Sequence, residues 1–359
     1  MGSALEAQGL KNWQVDVSSH VGKIIKHTPK LTFNLPSVSY GLDVNIHKQM
    51  EGRRDWQVLQ GYPAFGLSFL YYNFGDRDIL GNAYGLLPNL KINITRKERY
   101  HIDFFVGTGI AWLDQHFDRV ENTLNNAIGS NLNNITSFRF SAYYRLQQQL
   151  SLKAGISFVH FSNGAAQLPN FGLNVPAVML GIQYHPNTTS LPDKQVEIDR
   201  KPDKRWGLNV HMDLAFQEFI SIGGPRFPIY IASVGALYSL NKVNRLGFGV
   251  EYEYKKAIFE FGLHTYDFGS EREARRRASR YMLYVSDEFL FGPVGITLQI
   301  GAYISRNSFL VDAPIYNKLS TRFYLPPWGK PKTQLYFGIY LKSHYVRAEY
   351  IALGMGATL

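Results

Sequence analysis

The sequence predicts an all-β protein, a closed antiparallel transmembrane β-barrel of about 16 strands (about 14–16) in which residues 1–359 form a single barrel. Three observations support this prediction. Apolar residues recur with period 2 in runs of roughly ten to twelve residues. No stretch has the roughly 18 successive apolar residues that a spanning helix needs. Finally, the links between runs alternate between short and long.

The period-2 pattern is clearest in five segments, which are 100–112, 137–144, 206–216, 315–325 and 334–342. In the third of these, Trp206 and Leu208 fall on one parity and His211 on the other. In the fourth, Lys318 and Arg322 fall on the polar parity. A soluble sandwich would not bury charges on one face and leave large aromatic residues on the other. The pattern therefore predicts apolar side chains toward lipid and polar ones toward the barrel interior.

The connections indicate an orientation. Short links are expected near 96–98, 147–149, 241–244, 292–293 and 326–332, and longer ones near 114–135, 163–174, 258–279 and 306–314. Short turns belong on the periplasmic side of such a barrel and long loops on the outside. The polar stretch His185–Lys204 falls on the short-turn side. We interpret it as a connector between two halves of one barrel.

Composition restricts the possible chemistry. The chain has no cysteine and a net charge of +10, so thiolate metal sites are excluded, and we expect neither a metal nor another cofactor. The charge favours an anionic partner such as a phosphorylated glycolipid, and the lack of a compact basic helix disfavours nucleic acid. Because the N-terminus has no apolar export segment, we expect the signal peptide to have been removed and Met1–Ser3 to be a cloning remnant.

One strand ends in a group of residues that could carry chemistry. His160 and Ser162 are two positions apart, so their side chains share a face. That face also carries Ile156 and Phe158, which makes it the apolar, lipid-facing one. On the next predicted strand Asn174 shares parity with apolar residues. Three polar side chains are therefore expected to meet outside a hydrophobic wall, near the outer rim.

The segment His160-Phe161-Ser162-Asn163-Gly164, followed by Pro169-Asn170-Phe171-Gly172-Leu173-Asn174, resembles the signature of the lipid A 3-O-deacylase (PagL-type) family. The whole chain resembles the longer relatives of the Bacteroidetes type, usually called acyloxyacyl hydrolases. Further similarities are Gly61-Tyr62-Pro63, the Asn-rich loop Glu121–Asn134 and Leu341-Lys342-Ser343-His344. Residues 1–186 resemble the eight-stranded deacylase, and residues 187–359 would add further strands.

The resemblance implies a serine esterase that removes an acyl chain from lipid A. It assigns Ser162 as nucleophile, His160 as base, and the backbone of Asn163 and Gly164 as oxyanion donors. The family has a Glu where this chain has Asn174, which is a departure. An Asn can orient a His but cannot stabilise the imidazolium by charge. We therefore keep two alternatives: a slower enzyme, or recruitment of Asp114, Asp118 or Glu121 from the long loop.

Strand parity adds a substrate path. Ile156, Phe158, Val178 and Leu180 share the apolar face below the His160 and Ser162 pair. We expect them to line a groove at acyl-chain depth, which the substrate enters sideways from the outer leaflet. The expected location is the outer membrane of a Gram-negative bacterium. The expected partners are lipopolysaccharide or lipid A and outer-membrane lipids, with other outer-membrane proteins as a further candidate class.

Less specific interpretations also stand. A His at a barrel rim is often only an interfacial residue, and Ser-Asn-Gly is an ordinary turn sequence. A non-catalytic barrel that serves as a structural or accessory subunit of a membrane assembly is the main alternative function, and Asn174 favours it. A transport pore is the third hypothesis, and it requires a lumen free of side chains. The arginine-rich segment Glu271–Arg280 is interpreted as a solvated loop face.

Overall fold

The computed structural model describes residues 12–186, 198–219, 221–304, 314–326, 333–344 and 347–359. Sixteen strands and three helices occur in these ranges, so the all-β class and the expected strand number are confirmed. By backbone contacts the chain divides into two compact units, Met1–Asn163 with Pro169–Ile198 and Gly164–Leu168 with Asp199–Leu359. Within the described residues no helix is long and apolar enough to cross a membrane.

Eight antiparallel strands close the first barrel. They are β1 Trp13–Gly22, β2 Ser39–Gln49, β3 Ala64–Asn73, β4 Asn82–Arg96, β5 Tyr100–Leu113, β6 Leu132–Arg145, β7 Leu150–Ser162 and β8 Leu173–Tyr184. Each strand pairs with the next, and β8 pairs with β1 from Val15↔Tyr184 to Gly22↔Ala177. A short helix, α1 (Asp55–Leu59), lies in the connection between β2 and β3.

A second set of eight strands closes separately. They are β9 Trp206–Glu218, β10 Arg226–Asn241, β11 Asn244–Lys255, β12 Ser279–Phe291, β13 Val294–Tyr303, β14 Ile315–Tyr324, β15 Gln334–His344 and β16 Arg347–Thr358. The barrel closes by pairing of β16 with β9. Helices α2 (Lys256–His264) and α3 (Glu271–Ala278) form the connection between β11 and β12. Ser270 caps α3 by accepting a hydrogen bond from the Glu273 backbone N–H.

The expectation of one sixteen-stranded barrel is therefore corrected to two barrels of eight strands. The physical reason lies in the local nature of the sequence pattern. Alternation shows which residues of a strand face outward, but it looks the same whether the eighth strand pairs with the first or with a ninth. Residues 187–197 of the predicted connector lie outside the described residues, as do 306–313 and 327–332 of two other predicted links and Met1–Ser3.

The predicted strand parity is confirmed in both barrels. Trp206, Leu208 and Val210 are exposed on the outer surface of the second barrel, whereas His211 and Asp213 are buried inside it. The segments 137–144 and 334–342 alternate in the same way. Apolar side chains therefore cover the outside of each barrel, as a membrane barrel requires. Inside the first barrel, buried polar residues share the interior with an apolar cluster that includes Leu87, Val159 and Phe161.

Ion pairs occupy the interior of the first barrel. Lys153 Nζ lies 2.7 Å from Asp16 Oδ1, and Lys91 Nζ lies 3.5 Å from Asp103 Oδ2. Arg139 pairs with Asp43, and both side chains are buried. Eight-stranded barrels are just wide enough for side chains to fill them. A lumen packed with paired charges disfavours the transport-pore hypothesis for this barrel.

The interior of the second barrel is filled in a similar way, with more tyrosine. Lys318 Nζ lies 2.6 Å from Glu251 Oε2, and Lys342 Nζ lies 2.6 Å from Glu253 Oε2. Buried tyrosines share this interior: Tyr284, Tyr316, Tyr324, Tyr336, Tyr340 and Tyr350. The lumen is therefore a packed polar core, and the pore hypothesis is disfavoured here as well.

Most of the described connections have the expected lengths. In the first barrel, short links at 97–99 and 146–149 lie on one rim, and longer ones at 114–131 and 163–172 lie on the other. The connection 50–63, which contains α1, is an exception because it is long and lies on the short-turn rim. Strand β6 begins at Leu132, before the predicted position, so the long loop is shorter than expected.

Candidate active site

The candidate site lies on the outer surface of the first barrel, at the end of β7 and the start of β8. His160 pairs in register with Asn174 on the neighbouring strand, and the even-numbered positions of β7 face outward. Directly opposite residues of antiparallel strands have Cβ atoms about 4.5–5.5 Å apart. The predicted convergence of His160, Ser162 and Asn174 is therefore present, and it follows from strand register.

A chain of two hydrogen bonds joins these three side chains. His160 Nε2 lies 2.9 Å from Ser162 Oγ, and His160 Nδ1 lies 2.6 Å from Asn174 Oδ1. Because an amide oxygen only accepts, the proton resides on Nδ1, and Nε2 is left as the acceptor for the serine hydroxyl. The imidazole is thus held in the tautomer that can take a proton from Ser162.

The three side chains are shielded although they stand on an outer wall. Ser162 is 2% exposed and Asn174 is 6% exposed. The loop that joins β7 to β8 returns over them through Gly172, whose φ is +78°. A Cβ at this position would stand 2.9 Å from His160 Cε1. Only glycine therefore lets the backbone pass this close to the imidazole.

Backbone hydrogen bonds fix the covering loop. Gly172 N–H donates to the Ala127 carbonyl at 2.9 Å, and His27 Nε2 lies 2.9 Å from the Phe171 carbonyl oxygen. The Asn163 backbone N–H donates to Asn170 Oδ1 at 3.0 Å. Loops from three parts of the chain therefore meet at the site. Asn170 is part of the sequence motif, but its role as acceptor for the Asn163 N–H was not predicted.

Two of the carboxylates considered as alternatives to Asn174, those of Asp114 and Asp118, have other partners. Asp114 accepts hydrogen bonds from the backbone and side chain of Asn82 at 2.6 and 2.9 Å. Asp118 accepts from the backbone N–H groups of Glu121 and Val120, which hold the pKa of its carboxyl below the ordinary value. Both ring nitrogens of His160 are already taken by Asn174 and Ser162. The geometry therefore favours an amide orienter over a recruited carboxylate.

The residues predicted to line an acyl groove point outward. Ile156, Val178 and Leu180 are 59%, 59% and 63% exposed, and Phe158 is half-buried on the same face. They are adjacent across strands, because Ile156 pairs with Val178 and Phe158 with Pro176. Ser157 and Met179, of the opposite parity, are buried in the interior. A continuous apolar strip therefore begins directly below His160.

The sequence analysis did not predict a second serine-histidine pair, located inside the first barrel and completed by a carboxylate. His20 Nδ1 lies 3.0 Å from Ser157 Oγ, and His20 Nε2 lies 3.0 Å from Asp43 Oδ1. All three are buried, and Asp43 also pairs with Arg139. Because all three side chains are buried among the paired charges of the barrel interior, this arrangement is part of the polar core. It provides an internal control for experiments on Ser162.

The predicted oxyanion residues stand at the start of the same loop. Asn163 follows Ser162 directly, and its side-chain Nδ2 donates to Ser130 Oγ at 2.9 Å. Gly164 has a φ of +61°. No group of side chains that could hold a metal ion is found among the described residues.

Two family profiles match the chain. Residues 40–183 match lipid A 3-O-deacylase (PagL), and residues 204–359 match the C-terminal domain of acyloxyacyl hydrolase. A comparison with curated proteins finds no match.

Among solved structures, the outer membrane enzyme PagL is 17% identical and covers 46% of this chain and 97% of its own, with a TM-score of 0.35. Neisserial surface protein A is 7% identical and covers 49% of this chain and 97% of its own, also with a TM-score of 0.35. Together the two profiles span most of the chain. The chain therefore belongs to the lipid A 3-O-deacylase (PagL) family, with an acyloxyacyl hydrolase C-terminal domain as its second half, and is an outer-membrane β-barrel protein of a Gram-negative bacterium.

Proposed function

We propose that this protein is an outer-membrane serine esterase that removes an acyl chain from lipid A or a related glycolipid. The observation that carries the proposal is the position of His160 between Ser162 Oγ and Asn174 Oδ1, at 2.9 and 2.6 Å. The name of the matching family, lipid A 3-O-deacylase, supports the reaction class and the substrate class.

The reaction proceeds in two steps. In the first, His160 Nε2 takes the Ser162 hydroxyl proton as Oγ attacks the ester carbonyl carbon. The tetrahedral intermediate collapses, the imidazolium protonates the leaving alkoxide, and an acyl-enzyme remains. In the second step, His160 takes a proton from water, which attacks the acyl-enzyme and releases the fatty acid. Ser162 recovers its proton from His160.

Asn174 acts as the orienting residue. Its amide oxygen accepts the Nδ1–H of His160 at 2.6 Å and so fixes both the tautomer and the ring direction. It does not supply the negative charge with which a carboxylate stabilises the imidazolium. We therefore propose a slower enzyme than one with a glutamate in this position.

The oxyanion donors are proposed to be the backbone N–H groups of Asn163 and Gly164. The Asn163 N–H donates to Asn170 Oδ1 at 3.0 Å, so it already has an acceptor. In this proposal the developing oxyanion replaces the amide oxygen of Asn170 as the acceptor. A donor that is held in position before the reaction does not have to reorganise during it.

The substrate is proposed to arrive from the side. The apolar strip of Ile156, Phe158, Val178 and Leu180 starts below His160 and is open to the outer surface. An acyl chain that lies along it stays in contact with the membrane interior, and each buried methylene contributes about 0.8 kcal/mol. Anionic groups of the glycolipid are compatible with the net charge of +10.

A non-catalytic role as a structural or accessory subunit is the second candidate function. It is favoured by one observation, the neutral Asn174 in the place of the family's glutamate. A subunit of this kind would keep the barrel and the loop structure without needing an activated serine. The two functions predict opposite results in a direct assay.

The assay measures fatty acid release from purified lipid A, by mass spectrometry, with the full-length protein folded in detergent. We expect release by the wild type and none by Ser162→Ala. Ser157→Ala is the matched control, since it removes the hydroxyl of the internal serine-histidine-aspartate arrangement, and it should keep full activity. Folded wild-type protein that releases nothing from lipid A or from phospholipid esters would leave the subunit function as the better account.

A further inference from the structure

A ring of three polar side chains stands next to the candidate triad on the outer wall. Thr136 pairs in register with His160, Asn134 pairs with Ser162, and Thr108 on β5 pairs with Thr136. All three occupy the outward parity of their strands. The ring therefore continues the row of polar side chains from β7 and β8 onto β6 and β5.

The surroundings of the ring are apolar. Two positions further along each strand, away from the rim, the outward-facing residues of β5 to β8 are apolar. They are paired in register across the four strands: Val106, Phe138, Phe158 and Pro176. Ile110 and Trp112, further along β5, are exposed apolar side chains. Polar side chains on the lipid-facing surface of a membrane protein have a free-energy cost and are often functional. Their position beside Ser162 suggests contact with the substrate.

The hydrogen bonds within the ring run in one direction. Asn134 Nδ2 donates to Thr108 Oγ1 at 3.0 Å, and Thr136 Oγ1 donates to Asn134 Oδ1 at 3.0 Å. A hydroxyl has one proton, so the 3.1 Å bond between the two threonines must have Thr108 as its donor. The second N–H of Asn134 donates to the Gly109 carbonyl at 2.9 Å.

This arrangement uses every proton of the ring and leaves lone pairs free. Thr108 Oγ1 and Asn134 Oδ1 each accept one hydrogen bond within the ring and have capacity for a second. Both residues are half-buried and reach the surface, whereas Thr136 is buried between them. The ring therefore offers acceptors only. It suits a hydroxyl or amide N–H of a ligand and disfavours a phosphate or carboxylate, which also only accept.

We infer that Thr108, Asn134 and Thr136 form a binding site for a hydrogen-bond donor of the substrate close to the scissile ester. This inference rests on the proposed esterase function and deepens it. The preferred substrate then carries a hydroxyl or an amide N–H near the ester, as a hydroxyacyl or N-acylated glycolipid does. A simple diacyl phospholipid has no such donor and is disfavoured by the same site.

The test uses three synthetic detergent-dispersed glycolipid monoesters. One carries a β-hydroxyacyl ester and a neighbouring amide N–H, the second lacks only the hydroxyl, and the third has the amide N-methylated. kcat/KM is measured for the wild type, for Thr108→Val, which keeps the side-chain shape, and for Thr321→Val. Thr321 is a half-buried, outward-facing threonine of the second barrel, so Thr321→Val is the matched control.

We expect the wild type to cleave the first ester faster than one of the other two. A slower second ester identifies the hydroxyl as the donor, and a slower third ester identifies the amide N–H. Thr108→Val should reduce this preference about 3- to 10-fold, the effect of one hydrogen bond, because its rate falls more on the donor-bearing ester than on the ester that lacks that donor. Thr321→Val should change neither. Equal loss on all three esters, or no change in the preference, would overturn the inference and leave the esterase function in place. Folded wild-type protein that cleaves none of the esters would remove the proposed function, and this inference with it.

Discussion

His160 Nδ1 and Asn174 Oδ1 lie 2.6 Å apart, a hydrogen bond between an imidazole and a neutral amide at the position where the family resemblance has a carboxylate. The bond fixes the direction and tautomer of the ring without adding charge. A carboxylate at this position would both orient the histidine and stabilise the imidazolium electrostatically. Asn174 provides the orientation without the electrostatic stabilisation.

Substitutions of Asn174 measure these contributions separately. Asn174→Asp keeps an acceptor and adds charge, so fatty acid release should stay the same or rise. Asn174→Leu removes the acceptor and should reduce kcat about 10²-fold or more, because His160 then loses the tautomer and direction on which its role as general base depends. Both rates are measured on lipid A, with thermal unfolding as the check on the fold. Full activity in Asn174→Leu would show that Asn174 does not orient His160.

Gly172 tests whether the covering loop places the imidazole. Gly172→Ala puts a methyl group 2.9 Å from His160 Cε1 at a φ of +78°, so it should displace the ring and abolish most of the activity. Gly61→Ala is the matched control, since Gly61 has a φ of +70° and its Cβ would meet nothing closer than Asn93 O at 3.8 Å. Each substitution should cost about 1–2 kcal/mol of stability from backbone strain. Equal activity in the two variants would contradict the role given to the loop.

The lateral route predicts a difference between lipid and soluble substrates. Val178→Asp places a charge in the exposed apolar strip, at a depth-dependent cost smaller than the about 2–4 kcal/mol of an Arg or Lys at the bilayer midplane. It should weaken lipid A hydrolysis more than hydrolysis of a short soluble ester. Met179→Leu, a conservative change at the buried neighbour, should affect neither. If Val178→Asp lowers both rates by the same factor, the strip has no special part in acyl binding.

The absence of native cysteine allows a direct test of orientation. Glu121→Cys lies in the long loop between β5 and β6, and Gln148→Cys in the short turn between β6 and β7. Both positions are exposed. A membrane-impermeant maleimide should label Glu121→Cys in intact cells, and Gln148→Cys only after lysis. The reverse pattern would show that the barrel is inverted and that the site faces the periplasm.

Much of the site could be predicted because it depends on local geometry. Alternation along β7 is enough to place His160, Ser162 and Ile156 on one face, and the loop 163–172 returns the chain so that Asn174 lies beside His160. The outward direction of that face follows from the apolar residues it carries. These inferences need only one strand and its neighbour, and that information is present in a short segment of sequence.

The rest depends on contacts between segments distant in sequence. Pairing of β8 with β1 rather than β9 cannot be deduced from alternation, and this is why one barrel was expected where two are present. The ring of Thr108, Asn134 and Thr136 depends on the register of β5, β6 and β7. The internal contact of His20 with Ser157 joins β1 to β7, and it too appears only when the barrel closes.

The most direct test of the central claim is covalent labelling of the folded protein with a long-chain fluorophosphonate, followed by peptide mapping. Such a reagent reacts with a serine that a neighbouring base activates. We predict one adduct, on Ser162, with no adduct in His160→Ala and unchanged labelling in Ser157→Ala. An adduct on a different serine, or none on folded wild-type protein, would contradict the assignment of Ser162 as an activated nucleophile.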